Sequence, residues 1–152
     1  MVLIKSKVNK NMKTICLRFS DAYAPEEGTI NLHQKVINKY GFVWYGKRGC
    51  KVSESVLSEI LKNGVVDILL LKSGSGEKYL ATVVDYSFKE RYEHPDYYKN
   101  ESVFMNTWLK ITHFELANQD ILDHCSVYST GTPLVEVVKK SMGGYFIIDL
   151  KK

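Results

Sequence analysis

The alternation of apolar and polar positions divides this chain into short elements. Thr14–Phe19 (TICLRF) has β-branched and aromatic residues at strand length and predicts a first strand. Ser20–Thr29 (SDAYAPEEGT) reads as a loop punctuated by Pro25 and Gly28. In Ile30–Tyr40, residues Leu32, Val36, Ile37 and Tyr40 recur near helical spacing before Gly41, which predicts a short helix. Phe42–Tyr45 (FVWY) is a compact apolar strand that ends at the loop Gly46–Gly49. A second helix follows over Ser53–Lys62. Ser53 offers an N-cap, Glu54 suits the positive end of the helix dipole, and Val56, Leu57, Ile60 and Leu61 form one apolar stripe before Gly64.

Ile68–Lys72 and Lys78–Tyr86 are two strands joined by the glycine-rich turn SGSGE, a β-hairpin. Leu69–Leu71 is apolar on both faces, so this strand is expected to be central. Ser87–Asn106 carries charge, Pro95 and five aromatic residues without a regular period, and is read as a loop. Thr107–Phe114 alternates as a strand, and residues 117–131 suggest a short helix with a turn at Ser129–Pro133. Leu134–Val138 is expected as a strand, Ser141–Gly144 as a turn and Tyr145–Leu150 as a last strand. Strands outnumber helices. The expected class is α+β, a small curled sheet or open β-barrel with outer helices. Residues 1–13 are expected as an N-terminal extension and 14–150 as a single domain.

Composition narrows the picture without changing it. With 152 residues, 45% hydrophobic and 25% charged, the chain can bury a core of its own and is not a disordered one. The net charge of +4 permits an anionic partner without demanding one. Cys16, Cys50 and Cys125 have no zinc-ligand spacing, and are expected as reduced, buried thiols. The N-terminus lacks the apolar core of a signal peptide, and Val65–Leu71 is too short to span a bilayer. A cytoplasmic location with no membrane partner is the expectation.

Catalytic signatures are missing from the string. There is no phosphate loop of the Walker type, no HExxH and no GxSxG, and SGSGE joins two strands rather than opening a helix. The four histidines are scattered, so structural or surface roles are expected of them. No enzyme activity, catalytic residue, cofactor or metal is expected. A binding module fits better. Trp44 and Tyr45 stand next to Lys47 and Arg48, and the mixture recurs at Phe88–Tyr92 and Tyr97–Lys99. Aromatic residues beside cations are the materials for stacking a base while neutralising its phosphate.

The element order and several strings resemble the YTH/EVE branch of the PUA-like superfamily. Leu17-Arg18-Phe19-Ser20-Asp21 stands at the family's first turn, and Gly41-Phe42-Val43-Trp44-Tyr45 at the strand whose Trp walls an aromatic cage. Thr107-Trp108-Leu109-Lys110-Ile111-Thr112 is similar to a later strand of that family. The likeness extends over residues 14–150. It departs where Tyr45 replaces a small residue, where Asp21 replaces an amide, and where the second cage Trp is missing.

The resemblance implies that a modified, methylated base in DNA is flipped into an aromatic cage. Trp44 forms one wall, and Phe88, Tyr92, Tyr97 or Tyr98 the other. Ser20, Asp21 and Tyr45 are candidates near the base, Asp21 as acceptor for an exocyclic amino group. Lys47, Arg48, Lys89, Arg91, Lys139 and Lys140 are candidate phosphate contacts. The resemblance also implies the targeting domain of a modification-dependent restriction system, with a C-terminal effector or GTPase domain in a longer protein. An RNA-binding domain and a protein-interaction domain stay open as alternatives.

Overall fold

A computed structural model describes residues 11–140 and 144–151. Seven strands form one mixed sheet in the order β2-β5-β4-β3-β1-β7-β6. They are β1 (Asn11–Phe19), β2 (Val43–Arg48), β3 (Val66–Lys72), β4 (Lys78–Ser87), β5 (Met105–Leu116), β6 (Cys125–Val127) and β7 (Tyr145–Lys151). The helices are α1 (Thr29–Tyr40), α2 (Glu54–Ile60) and α3 (Leu134–Lys140). The architecture is α+β, as expected, and the sheet stays open rather than closing into a barrel.

Period-two alternation explains why the middle strands read as unbroken apolar runs. In β1, Ile15, Leu17 and Phe19 enter one core while Cys16 enters another on the opposite face. In β3, Ile68 and Leu70 share the first core, and Leu69 and Leu71 the second. A strand covered on both faces needs apolar residues at every position. β3 is accordingly the fourth of seven strands, with β1 parallel to it on one side and β4 antiparallel on the other. The second helix also forms as expected, with the Ser53 hydroxyl accepting from the Val56 N–H at its start.

The structure corrects five local readings, the first being the loop expected from Gly46, since β2 runs on through Arg48 paired with β5. Leu134–Val138 is not a strand; it lies in α3, where Pro133 starts the helix and its carbonyl accepts from Glu136 and Val137. The β-branched residues there favour a strand locally, but burying Leu134 and Val138 against the second core decides for a helix. Residues 117–131 hold only a 3₁₀ turn, Ile121–His124, and then the short strand β6, which pairs with β7. β1 begins at Asn11, three residues earlier than expected, while the expected turn at Ser141–Gly144 falls mostly outside the described residues. Cys50 is exposed, whereas Cys16 and Cys125 are buried.

The long segment between β4 and β5 carries two 3₁₀ turns, Asp96–Asn100 and Ser102–Phe104. It packs along β2, which is an edge strand. Two outward N–H groups of that edge find partners there. Trp44 donates to the Glu93 carbonyl at 2.7 Å, and Gly46 donates to the Tyr98 hydroxyl at 3.2 Å. An edge covered in this way is closed to pairing with another chain.

Candidate functional site

A cavity of about 200 Å³ opens where the end of β1, the middle of β2 and the Asp96–Met105 segment meet. It is too small for a drug-sized ligand, which needs roughly 300–1,000 Å³. It suits one flat heterocycle. Tyr45, Tyr97 and Tyr23 give it aromatic surface, and Met105 and Phe19 add apolar contact. Polar groups come from Ser20 and Thr29, and charge from Arg18, Lys47, Arg48 and Glu101.

Tyr45 owes its place to alternation along β2. Val43 and Tyr45 point into the first core, toward α1, while Trp44 points to the other face. The Tyr45 ring rests 5.3 Å from His33 of α1, and burial pushes its phenol well up from the ordinary range. Gly46 lets Met105 and Trp108 close in on β2: a Cβ there would overlap Met105 Sδ and lie 3.2 Å from a Trp108 ring carbon.

Behind these walls runs a buried relay. His33 Nδ1 lies 2.7 Å from the Thr29 carbonyl, which can only accept, so Nδ1 carries the proton. The Tyr98 hydroxyl, 2.7 Å from Nε2, then donates to His33 and accepts from Gly46. Every group in the relay is satisfied when His33 is neutral. Burial lowers the His33 pKa to about 4, outweighing the opposing Thr29 bond.

The cationic side is held in two ways. Lys47 is only 6% exposed, and its ammonium donates to the backbone carbonyls of Arg48 and Cys50. Burial holds its pKa below the ordinary lysine value. Arg48 lies at the mouth, paired with Glu101, its guanidinium carbon 4.1 Å from the Tyr23 ring centroid and 5.3 Å from that of Phe104. Arg18 reaches the other way and donates to the Val138 carbonyl at 2.8 Å.

Of the residues expected at a base site, the cavity brings together Ser20, Tyr45, Tyr97, Tyr98, Lys47 and Arg48. Trp44 does not line it. That ring is 3% exposed, packed with Tyr98 and Trp108, and covered by Arg91 at 4.8 Å. Phe88 packs on the first core beneath Lys51, and Tyr92 is 86% exposed away from the cavity. Lys89 lies in an exposed turn bonded to Ser87, and Lys139 and Lys140 are exposed at the end of α3.

Asp21 is engaged elsewhere. Its carboxylate accepts from the Thr29 N–H at 3.0 Å, capping α1, whose own N-cap residue is Gly28. It also pairs with Lys72 at 3.0 Å. Burial alone would raise its pKa, but these bonds prevail and hold it below the ordinary carboxylate value. Gly28 is required beneath it, with φ at +88° and a Cβ position only 3.2 Å from Asp21 Oδ2. Asp21→Ala is therefore expected to cost about 1 kcal/mol of stability, as lost helix caps do. Urea denaturation should show that loss, with ligand affinity unchanged.

Sequence reasoning missed Arg18, Tyr23, Thr29, Glu101 and Met105. Arg18 alone carried a signal, a lone cation within an apolar strand. Among the described residues no group of three or more His, Cys, Asp or Glu could hold a metal, and no helix is long and apolar enough to cross a membrane.

An open mixed sheet with helices packed on it defines an α+β domain, and a small aromatic and cationic cavity opens at its edge. The chain belongs to the Pua-like family, whose model matches residues 15–143. Membership points to binding of nucleic acid or a modified base at the level of the family. No curated protein and no solved structure matches the chain.

Proposed function

We propose that the chain reads one modified base in DNA by taking it out of its stack into the Tyr45–Tyr97 cavity. The observation that carries this reading is the cavity itself: room for one flat ring, aromatic walls and a cationic mouth. Flipping the base costs a few kcal/mol, and stacking returns about 1–3 kcal/mol per base. The walls are prepared in advance, because the His33–Tyr98 relay fixes them before any ligand arrives. Arg48 at the mouth is placed to meet the phosphate of the extruded nucleotide, exchanging its Glu101 partner for it. The role is recognition without a covalent step. In a longer protein it would serve as the targeting domain of a modification-dependent restriction system.

Filter binding with oligonucleotides carrying N6-methyladenine, 5-methylcytosine or 5-hydroxymethylcytosine, as DNA and as RNA, tests the reading. At least one modified strand is expected to bind above its unmodified parent. Tyr97→Ala should weaken that strand by about tenfold or more, the worth of one stacking wall. Equal binding of modified and unmodified strands, with a steep salt dependence, would point instead to backbone recognition alone.

A further inference from the structure

The cavity is rich in donors and poor in acceptors. Its one lining carboxylate, Glu101, is held by Arg48, and the Asp21 carboxylate is turned away to α1 and Lys72. On the donor side, a lysine ammonium has three N–H groups. Lys47 spends two on the carbonyls of Arg48 and Cys50, and among the described residues the third has no hydrogen-bond partner. The ammonium also lies over the face of Tyr145, 5.6 Å from the ring centroid. Tyr45 also lines the cavity, and its hydroxyl has no hydrogen-bond partner among the described residues.

A lysine that is only 6% exposed is costly to keep charged unless its ammonium is well bonded. The two carbonyls fix its position and leave one direction open. Gly144, which also lines the cavity, comes close to this corner: a Cβ there would lie 2.8 Å from that of Cys50 and 3.6 Å from the Lys47 nitrogen. Lys47 is thus preorganised and short of one acceptor. An exocyclic amino group cannot supply it, whereas an oxygen can.

We propose that Lys47 selects the base, donating its third N–H to an oxygen acceptor on the edge of the bound ring. The cavity then favours a base that presents a carbonyl or carboxylate oxygen over one that presents an amino edge. This rests on the reading of the cavity as a base site and names the chemical class that it takes. A charge-assisted bond of this kind discriminates by about tenfold or more, because a base that turns an amino group to the ammonium leaves it unpaired.

The test is fluorescence anisotropy on the whole chain, at fixed salt. Three single-stranded DNAs of one sequence carry thymine, 5-carboxylcytosine or N6-methyladenine at the central position. Thymine or 5-carboxylcytosine is expected to bind at least about tenfold tighter than N6-methyladenine. A lead of the carboxylate strand over thymine identifies an anionic acceptor on a modified base; parity between them supports Lys47 as the reader of a neutral carbonyl and removes the modification from the proposed function. In Lys47→Met the ratio between oxygen-bearing and amino-edged strands should fall to near one, and Lys47→Gln gives a second variant if methionine disturbs folding. A wild-type preference for N6-methyladenine, equal binding of all three strands, or a preference that survives both folded variants overturns the role of Lys47 and spares the base site. Binding of no strand at all overturns the base site, and the role of Lys47 with it.

Discussion

Trp44→Ala is expected to unfold the domain more readily rather than to blind it. The ring fills the cluster formed with Tyr98 and Trp108, and Arg91 closes over it. Truncating a buried tryptophan typically costs about 3–5 kcal/mol, from lost transfer energy and the cavity left behind. Native domains are stable by only about 5–15 kcal/mol, so much of the reserve would go. Urea denaturation should show the midpoint falling sharply. Trp44→Phe should recover part of it, while the ratio of modified to unmodified strand binding stays near that of wild type. The opposite outcome, an intact midpoint with the ratio lost, would return Trp44 to the base site.

The contrast between Trp44 and Tyr45 shows what a single sequence can and cannot carry. Both residues are apolar, aromatic and next to Lys47, and β2 was legible as a strand. Side chains alternate across a strand, so one of the two had to face α1 and the other the Asp96–Asn100 turn. Composition does not say which face holds the cavity. That depended on partners distant in sequence: His33 on α1 and Tyr98 on the 3₁₀ turn, 65 residues apart along the chain. Tyr97 and Tyr98 were legible as candidates because an irregular, aromatic segment invites a site. Their division of labour was not: both line the cavity, but Tyr98 is also a buried strut between His33 and Gly46.

The same reasoning separates Asp21 from Ser20. Adjacent polar residues in one turn looked equivalent, yet Gly28 leaves α1 without a side-chain cap and so draws the Asp21 carboxylate inward. The sheet was the easier part. A strand buried on both faces, such as β3, declares itself by an unbroken apolar run, Ile68–Leu71, and the SGSGE turn announces a hairpin. α3 and β6 were harder because each is short, and packing against the second core outweighs local preference at that length.

Acidification should destabilise the domain in a window set by His33. The folded state holds this histidine neutral with a pKa of about 4, against an ordinary value of 6.5. Between those values the unfolded chain binds a proton that the folded one refuses, so stability falls as pH falls. The contribution is fully present above pH 6.5 and exhausted near pH 4, and the interval is worth about 3 kcal/mol at 1.36 kcal/mol per unit. The relay supplies the reason. A protonated Nε2 would become a second donor facing the Tyr98 hydroxyl, which already accepts from Gly46 and would then have no acceptor for its own proton. Urea titrations at steps between pH 7.5 and 4 should show this loss in wild type. His33→Gln should start less stable at neutral pH, because it breaks the relay, and should lack this part of the slope. Asp21 does not confuse the window: its lowered pKa makes its contribution fade only below the ordinary carboxylate value of 3.8. Parallel curves for wild type and His33→Gln would mean that the histidine is not held neutral. Because His33 joins Thr29 to Tyr98, both at the cavity, ligand affinity is expected to decline through the same interval as the relay breaks.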